Sequence, residues 1–408
     1  MKILLVNAFS TNGSTGRNCQ ELQEYINKET QSVCYLAFSV GPKTENSYRI
    51  GSLLGKKVHA VLSRLTCMQA WFSHFSTMKL LHYINDISPD VIHLNNVHAN
   101  YLNLPMLLKY ANKNRIALTI TLHDCWFYTG KCTHYTAVGC SKWKTGCGKC
   151  PLLKSGNASW FVDATHYIWQ RKKDLYQEIS KLGVIGVSEW ICSEAKESIL
   201  ANAVLIECIY NWIDTEVFTV QEPDENIKKR LGLENKAIIM GVASNWGESK
   251  GLSGYYTLAE ELGDNYKVLL VGNIPEKDKK RMPANVVHVE TVSSTVEMAK
   301  YYNVANVYLN LSLEESFGKV SAEALACGVP IICIDSTANK ELVGDGCGVV
   351  LHKNEMSMIV DAARSVCLHP KKYYADNCRS FACDNFSKEQ QLKKHMYFYE
   401  KLVSSEEQ

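Results

Sequence analysis

Short apolar runs alternate with amphipathic segments along most of the 408 residues. Runs typical of buried strands come first at residues 3–6, 91–94, 117–122 and 184–187. The same pattern returns at residues 238–243, 268–271, 286–289, 307–311, 331–334 and 349–351. Strands that alternate with helices in this way predict an α/β fold, with parallel sheets covered by helices on both faces.

The alternation occurs in two blocks, and the chain is long for a single core, so we expect two Rossmann-like domains that face each other across a cleft. The N-terminal domain is predicted over residues 1–210, with a cysteine-rich insert at 125–151. The C-terminal domain is predicted over residues 211–384. Aromatic and apolar residues at helical spacing predict a closing helix within residues 385–408.

Composition excludes several classes of protein. The 44 Lys and Arg residues nearly balance the 42 Asp and Glu residues, which gives no case for nucleic-acid binding. No apolar run approaches the roughly 18 residues of a membrane span, and the N-terminus enters a strand pattern without a signal peptide. We therefore expect a cytoplasmic protein whose sixteen cysteines are mostly reduced thiols.

The segment from Glu315 to Glu323 carries the most specific chemical pattern. Its two carboxylates stand eight positions apart in the chain, about 12 Å if the whole segment were helical. This separation suits one extended ligand held at both ends, with phosphates at the helix N-terminus after Gly318. The alternative is an ordinary capped surface helix.

Two further segments could bind phosphate. One follows the first strand and contains Gly13, Ser14, Thr15, Gly16 and Arg17, although a plain tight turn is an equal alternative. The other places Lys250 at a helix start, where its charge could pair with a diphosphate. A solvated lysine is the alternative there.

Taken together, these motifs resemble a known family. Glu315, Phe317, Gly318 and Glu323, followed by Cys327, Gly328 and Pro330, resemble the E-x7-E motif of retaining GT-B glycosyltransferases of family four. Residues 210–218 resemble the inter-domain segment of that family, residues 13–17 its acceptor-side glycine loop, and residues 123–124 its cleft segment. The similarity covers nearly the whole chain and is closest to bacterial colanic-acid, exopolysaccharide and O-antigen enzymes, which carry a similar cysteine-rich insert.

The resemblance implies transfer of a sugar, with retained configuration, from a UDP- or GDP-sugar to a saccharide acceptor such as an undecaprenyl-diphosphate-linked glycan. It implies a role in bacterial surface polysaccharide or capsule synthesis, and no metal cofactor for catalysis. The implied catalytic residues are His123, Glu315 and Lys250. The implied donor-binding residues are Asn245, Gly318, Lys319, Val320, Ser321 and Glu323.

One position departs from the family. Asn245 stands where these enzymes usually carry an arginine that clamps the diphosphate, so either another cation such as Arg17 substitutes or diphosphate binding is weakened. This departure keeps two other functions open. One is a nucleotide-sugar epimerase or hydrolase of the same fold, and the other is a catalytically weak glycan-binding scaffold.

Four cysteines cluster in the insert, at Cys132, Cys140, Cys147 and Cys150. A structural zinc site with four thiolate ligands is the first interpretation, because the C-x2-C spacing suits tetrahedral ligation and a reducing cytosol opposes disulfides. Disulfides and plain buried thiols are the alternatives.

Residues 56–83 combine basic side chains with Trp71, Phe72 and other apolar residues. A half-buried helix is the simpler interpretation. The alternative is a basic, aromatic surface that contacts the inner face of the cytoplasmic membrane. His93, within an apolar strand, is expected to be a core histidine.

Overall fold

The computed structural model describes residues 1–292 and 294–405, which form two compact units. The N-terminal unit contains residues 1–209 and the segment from Leu392 onward. The C-terminal unit is Tyr210–Gln391.

A seven-stranded parallel sheet forms the core of the N-terminal unit. Its strands are β1 (Lys2–Phe9), β2 (Val33–Val40), β3 (Ser47–Arg49), β4 (Val91–Leu94), β5 (Ala117–Leu122), β6 (Leu182–Gly186) and β7 (Leu205–Cys208). They lie in the order β3-β2-β1-β4-β5-β6-β7. The central strands are buried along their length, so they read as continuous apolar runs rather than as alternating ones.

Helices cover this sheet. They are α1 (Gly13–Glu29), α2 (Leu53–Thr66), α3 (His74–Ile87), α4 (Leu104–Lys113), α5 (Thr165–Gln177) and α6 (Glu189–Lys196). The cysteine-rich insert lies between β5 and α5 and contains two 3-10 turns, Thr136–Val138 and Lys142–Lys144.

The C-terminal unit has a six-stranded parallel sheet of order β10-β9-β8-β11-β12-β13. Its strands are β8 (Ala237–Asn245), β9 (Tyr266–Asn273), β10 (Val286–Val289), β11 (Val307–Asn310), β12 (Ile331–Ile334) and β13 (Gly348–Leu351). Its helices are α7 (Glu225–Leu231), α8 (Leu252–Leu262), α9 (Glu276–Lys279), α10 (Thr295–Val304), α11 (Lys319–Ala326), α12 (Met356–Cys367) and α13 (Lys372–Phe386).

The last helix, α14 (Lys388–Ser404), contributes its residues from Leu392 onward to the N-terminal unit. It packs tightly on β6, because a Cβ atom added to Gly183 would lie 2.8 Å from both Phe398 and Leu402. The Tyr399 hydroxyl lies 2.6 Å from His93 Nδ1. A closing helix at this end of the chain was predicted from its helical spacing.

All ten predicted strands are present. Three strands were not predicted, β2, β3 and β7. The edge strands β3 and β7 are short and only partly buried, so they carry little apolar signal. In the described part of the chain, no helix is long and apolar enough to cross a membrane.

Candidate functional site

The predicted residues Lys250 and Glu315 form an ion pair. Lys250 ends the 3-10 turn that follows β8, and Glu315 lies in the loop after β11. Because β8 and β11 are parallel neighbours, their carboxyl ends lie at the same edge of the sheet, where α/β folds bind ligands. The lysine side chain is 34% exposed and the glutamate 18%, so both remain accessible to a ligand.

A glycine lets these two loops approach each other. Gly251 has a φ of 74°, and a Cβ atom there would lie 2.5 Å from Leu311 Cβ. The loops are also joined by the Leu313 N–H, which donates to the Ser249 carbonyl at 3.3 Å. Glu315 itself is held at its backbone, because its N–H donates to Thr337 Oγ1 at 2.9 Å.

Helix α11 begins at Lys319, four residues beyond Glu315. Gly318 precedes the helix with a φ of 92°, a conformation that favours glycine. Beneath the helix start, Asn310 Nδ2 donates to Ser321 Oγ at 3.2 Å and to Asn339 Oδ1 at 3.1 Å. The predicted phosphate-binding residues, Lys319 to Ser321, therefore begin a helix whose position a buried amide network holds. The first N–H groups of a helix lack the carbonyl partner of the preceding turn, and here the Ser321 N–H donates to the Gly318 carbonyl at 2.9 Å.

Glu323 is buried in α11, with only 8% of its surface exposed. The Tyr302 hydroxyl donates to one of its carboxylate oxygens at 3.0 Å. Burial, and then the nearby Glu323 charge, hold the pKa of Tyr302 well above its usual range, so the hydroxyl remains a donor. This tyrosine was not predicted as part of the site.

Asn245, the position of the missing arginine, is the last residue of β8 and is exposed. Its side-chain oxygen accepts a hydrogen bond from Asn273 Nδ2 at 3.0 Å. No charged group replaces the arginine in this contact.

In the N-terminal unit, His123 follows β5 and lies beside Asn95, which follows β4. The His123 Nε2 atom is 3.0 Å from Asn95 Oδ1. Asn95 is 5% exposed, and its Nδ2 atom is buried without a hydrogen-bond partner. A buried unpaired donor is costly, so this amide has a hydrogen bond to offer to a ligand or an ordered water.

Asp124, next along the chain, has a different partner. Its Oδ2 atom lies 2.9 Å from His98 Nε2, and its Oδ1 atom accepts the Trp126 N–H at 2.8 Å. Burial raises the pKa of Asp124, but the His98 ring and the Trp126 N–H outweigh it and hold the pKa below its ordinary 3.8. Asp124 is therefore ionised, and its carboxylate holds the turn that follows His123.

Two other predictions can be placed in this unit. Residues 13–17 form the first turn of α1, with the Arg17 side chain exposed.

The expectation for His93 is confirmed, because its ring is 1% exposed and bonded at both nitrogens, to Tyr399 and to Thr121 Oγ1. Burial holds its pKa well below the usual range, so it is a neutral core residue.

The four clustered cysteines line one small cavity of about 20 Å³ in the insert. The Sγ atoms of Cys132 and Cys150 are 3.8 Å apart, and Cys147 Sγ accepts the Gly130 N–H at 3.3 Å. Over residues 1–292 and 294–405, no three Cys, His, Asp or Glu side chains converge closely enough to hold a metal ion.

Thus the structure joins Lys250 with Glu315 and places both beside α11. Sequence reasoning missed the polar residues Tyr302, Asn310, Thr337 and Asn339 of this unit, and Asn95, which contacts His123 in the N-terminal unit. Asn95 and Asn310 carried a detectable signal, because each is a polar residue at the carboxyl end of an apolar strand.

Solved glycosyltransferase structures match this chain along its whole length. Sucrose-phosphate synthase from Thermosynechococcus elongatus matches with a TM-score of 0.69 at 14% identity, covering 100% of both chains. Anabaena Alr3699/HepE in complex with UDP-glucose matches with a TM-score of 0.66 at 15% identity, covering 99% of this chain and 100% of the other. The fold is that of the GT-B glycosyltransferases, which confirms the predicted fold class.

The family of the C-terminal unit follows from sequence. Residues 223–379 match the family model of glycosyl transferases group 1. WcaC of Escherichia coli K12, whose name describes a glycosyl transferase of colanic acid biosynthesis, is 24% identical over 324 residues, covering 77% of each chain. The chain therefore carries a glycosyl transferases group 1 domain and is a glycosyltransferase, as its motifs predicted.

Proposed function

We propose that this protein is a retaining glycosyltransferase of bacterial surface polysaccharide synthesis. In this proposal it moves a sugar from a UDP- or GDP-sugar to a lipid-linked saccharide acceptor on the cytoplasmic side of the membrane. The polysaccharide assignment is supported by the similarity to WcaC. The donor class is supported by the fold that this protein shares with HepE, whose structure contains UDP-glucose.

The ion pair between Lys250 and Glu315 is the observation that supports the donor site most directly. An ammonium group has three hydrogen-bond donors, so Lys250 can keep Glu315 as a partner and still bind a donor phosphate. Glu315 has a second carboxylate oxygen for a hydroxyl of the sugar. The residues that begin α11, from Lys319, offer N–H groups to the same diphosphate.

The remaining donor contacts follow from position. Glu323, oriented by Tyr302, is proposed to accept hydrogen bonds from the ribose hydroxyls. Asn245 retains a neutral contact where related enzymes carry a positive charge. With no arginine at that position, Lys250 and the helix N–H groups carry more of the diphosphate binding.

The proposed reaction is a same-face displacement. The bond between the anomeric carbon and the leaving phosphate oxygen breaks while the acceptor hydroxyl bonds to the same face, and that phosphate oxygen takes the hydroxyl proton. Lys250 and the α11 N–H groups stabilise the negative charge that develops on the diphosphate. Glu315 holds the donor sugar in position. The His123 ring, which Asn95 orients, is proposed to help position the acceptor.

A donor panel tests this proposal. Purified protein is incubated with UDP- and GDP-sugars, with and without short-chain polyprenyl-diphosphate saccharides, and the product linkage is determined by NMR. We expect transfer with the anomeric configuration of the donor and little free sugar without acceptor. An inverted product would contradict retention. Rapid hydrolysis or epimerisation of the donor alone would instead indicate a nucleotide-sugar hydrolase or epimerase. Glycan binding without turnover would indicate a glycan-binding scaffold.

A further inference from the structure

Helix α2 buries polar side chains and exposes apolar ones, which is the reverse of a typical surface helix. Its buried residues are the polar His59 and Ser63. Four of its six large apolar side chains point outward, with exposed fractions of 73% for Leu53, 72% for Leu54, 52% for Val58 and 49% for Val61, whereas Leu62 and Leu65 are half-buried. A helix on the surface of a soluble domain normally buries its apolar stripe, so this orientation requires a separate explanation.

Two neighbouring segments extend the same surface. The first turn of α3 exposes Phe75 by 81% and Met78 by 49%. The loop between the cysteine-rich insert and α5 exposes three more apolar side chains in succession. We call the whole set the apolar face; it consists of Leu53, Leu54, Val58, Val61, Phe75, Met78, Trp160, Phe161 and Val162.

Contacts hold these three segments together. At the start of α2, a Cβ atom on Gly51 would lie 2.9 Å from Ser76 Oγ of α3. Further along, His59 Nδ1 lies 2.7 Å from Ser73 Oγ. At the far end, the Trp160 N–H donates to the Arg64 carbonyl at 2.6 Å. The three segments that carry the apolar face are therefore direct neighbours within the N-terminal unit.

This surface is also basic. The chain contains no Asp or Glu between Glu45 and Asp86, and none between Asp124 and Asp163. These two acid-free segments supply every residue of the apolar face. They also supply five basic side chains beside it, Lys56, Lys57, Arg64, Lys79 and Lys154.

We propose that the apolar face docks on the surface of an anionic lipid bilayer. A helix that lies in the interface inserts apolar side chains below the headgroups, while flanking Lys and Arg bind the lipid phosphates. Trp160 fits this position, because a tryptophan ring has an apolar body and a polar edge, and the Arg64 guanidinium lies 5.7 Å from it. In this arrangement the chain lies on the membrane and does not cross it.

The basic side chains beside the apolar face favour an anionic bilayer, rather than a second copy of this chain, as the partner that covers it. A two-fold dimer would bring the same cations of both copies together, with no carboxylate from these segments between them. An anionic bilayer neutralises these charges and covers the apolar side chains as well.

The structure changes which aromatic residues belong to this surface. Trp71 and Phe72, prominent in the sequence, are only partly exposed, and the Phe72 ring packs edge-on against His59 at 5.4 Å. Phe75 and Phe161 are the exposed aromatic residues instead. The docking surface does not depend on the proposed sugar transfer, although it would bring the protein to a lipid-linked acceptor.

Vesicle co-sedimentation of the full chain tests this inference. Vesicles of phosphatidylcholine alone are compared with vesicles that also contain about one third phosphatidylglycerol, at low and high salt. The test variant carries L54S, F75S and F161S. The matched control carries L368S and Y373S, because these two side chains are 80% and 65% exposed in the C-terminal unit. A third variant, K57E with R64E, tests the charge.

We expect the wild type and the control to bind phosphatidylglycerol vesicles, with weaker binding at high salt. The apolar and charge variants should each bind about tenfold more weakly or worse. Circular dichroism and thermal midpoints must match the wild type, so that lost binding does not reflect unfolding. Equal binding by the test and control variants, or no wild-type binding, would overturn the inference. So would a wild-type dimer that the apolar variant converts to a monomer.

Discussion

Lys250 and Glu315 form an ion pair although 65 positions separate them in the chain, and the glutamate is the less exposed of the two side chains. The contact depends on the sheet order, because the two residues follow strands β8 and β11, which are neighbours only after folding. A partly exposed pair typically contributes about 0–1 kcal/mol to stability. We therefore expect its loss to affect activity far more than folding.

Replacing either partner should abolish most sugar transfer. For Lys250→Met and Glu315→Gln we expect kcat/KM to fall about 100-fold each, because each variant removes a group that contacts the donor in the transition state. The double variant should be little worse than either single one, since residues that act as a unit are not additive. Steady-state kinetics with a fixed acceptor measure this.

Lys279→Met is the matched control for this prediction. Lys279 lies in the same unit and pairs with Glu276 and Glu290 at 2.9 and 2.8 Å, and neither partner is among the residues assigned to the site. Its loss should leave the rate unchanged. Wild-type rates in Lys250→Met would remove Lys250 from the donor site.

Tyr302→Phe should weaken donor binding. It removes the hydroxyl that orients Glu323 and leaves a buried carboxylate oxygen without that donor. We expect the Kd for the nucleotide, measured by calorimetry, to rise about tenfold while kcat at saturating donor changes less.

Tyr255→Phe controls for the loss of a buried hydrogen bond, since the Tyr255 hydroxyl donates instead to the Leu309 carbonyl. It should lose a similar amount of stability without a change in nucleotide affinity. If both variants bind nucleotide equally well, Glu323 does not contact the ribose.

Asn95→Ala should slow transfer through its effect on His123. Without the Asn95 Oδ1 contact at 3.0 Å, the imidazole loses its orientation. We expect kcat at saturating acceptor to fall about tenfold or more, with donor affinity unchanged. Asn114→Ala, a surface amide that bonds the Tyr110 carbonyl at 2.8 Å, is the control. A parallel loss of donor affinity in Asn95→Ala would contradict an acceptor-side role.

Asp124→Asn should destabilise the protein in a pH-dependent manner. The folded state holds the pKa of Asp124 below 3.8, so its stabilisation is complete above that value and is lost as the pH falls through the folded-state pKa. Urea unfolding should show a loss of about 1–3 kcal/mol at pH 7 and pH 5. The difference from wild type should shrink below about pH 4. A difference that grows with acidity would contradict this assignment.

The cysteine cluster is predicted to bind one structural zinc ion. The 3.8 Å between Cys132 and Cys150 matches the edge of a zinc–thiolate tetrahedron, about 3.8 Å for Zn–S bonds of about 2.3 Å. Binding would require the other two thiols to turn into the shared cavity. Elemental analysis of tag-free protein should find about one zinc per chain, and a chelator should lower the thermal midpoint.

Cys147→Ser should lose the zinc, whereas Cys367→Ser, a partly buried cysteine of the C-terminal unit, should retain it. Metal-free protein that a chelator does not destabilise would remove the prediction. A mass two daltons below that of the reduced chain would favour a disulfide.

The sequence by itself determined the local and repetitive features of this protein. Continuous apolar runs identified the buried parallel strands, and the spacing of Glu315, Gly318 and Glu323 identified a helix start suited to phosphate. These features could be read because each depends on residues that are close in the chain. The glycosyltransferase class followed from the same motifs.

Only the tertiary structure decided which distant residues meet. Sheet order brought Lys250 to Glu315, and the packing of α10 on α11 brought Tyr302 to Glu323. The same holds for α2, for which the sequence left a half-buried helix and an exposed surface as alternatives. Leu62 and Leu65 are half-buried, while Leu53, Leu54, Val58 and Val61 lie outside, because neighbouring segments bury His59. Hydrophobic spacing reveals that a helix has an apolar side, but only the packing of the chain decides whether that side meets the core or the solvent.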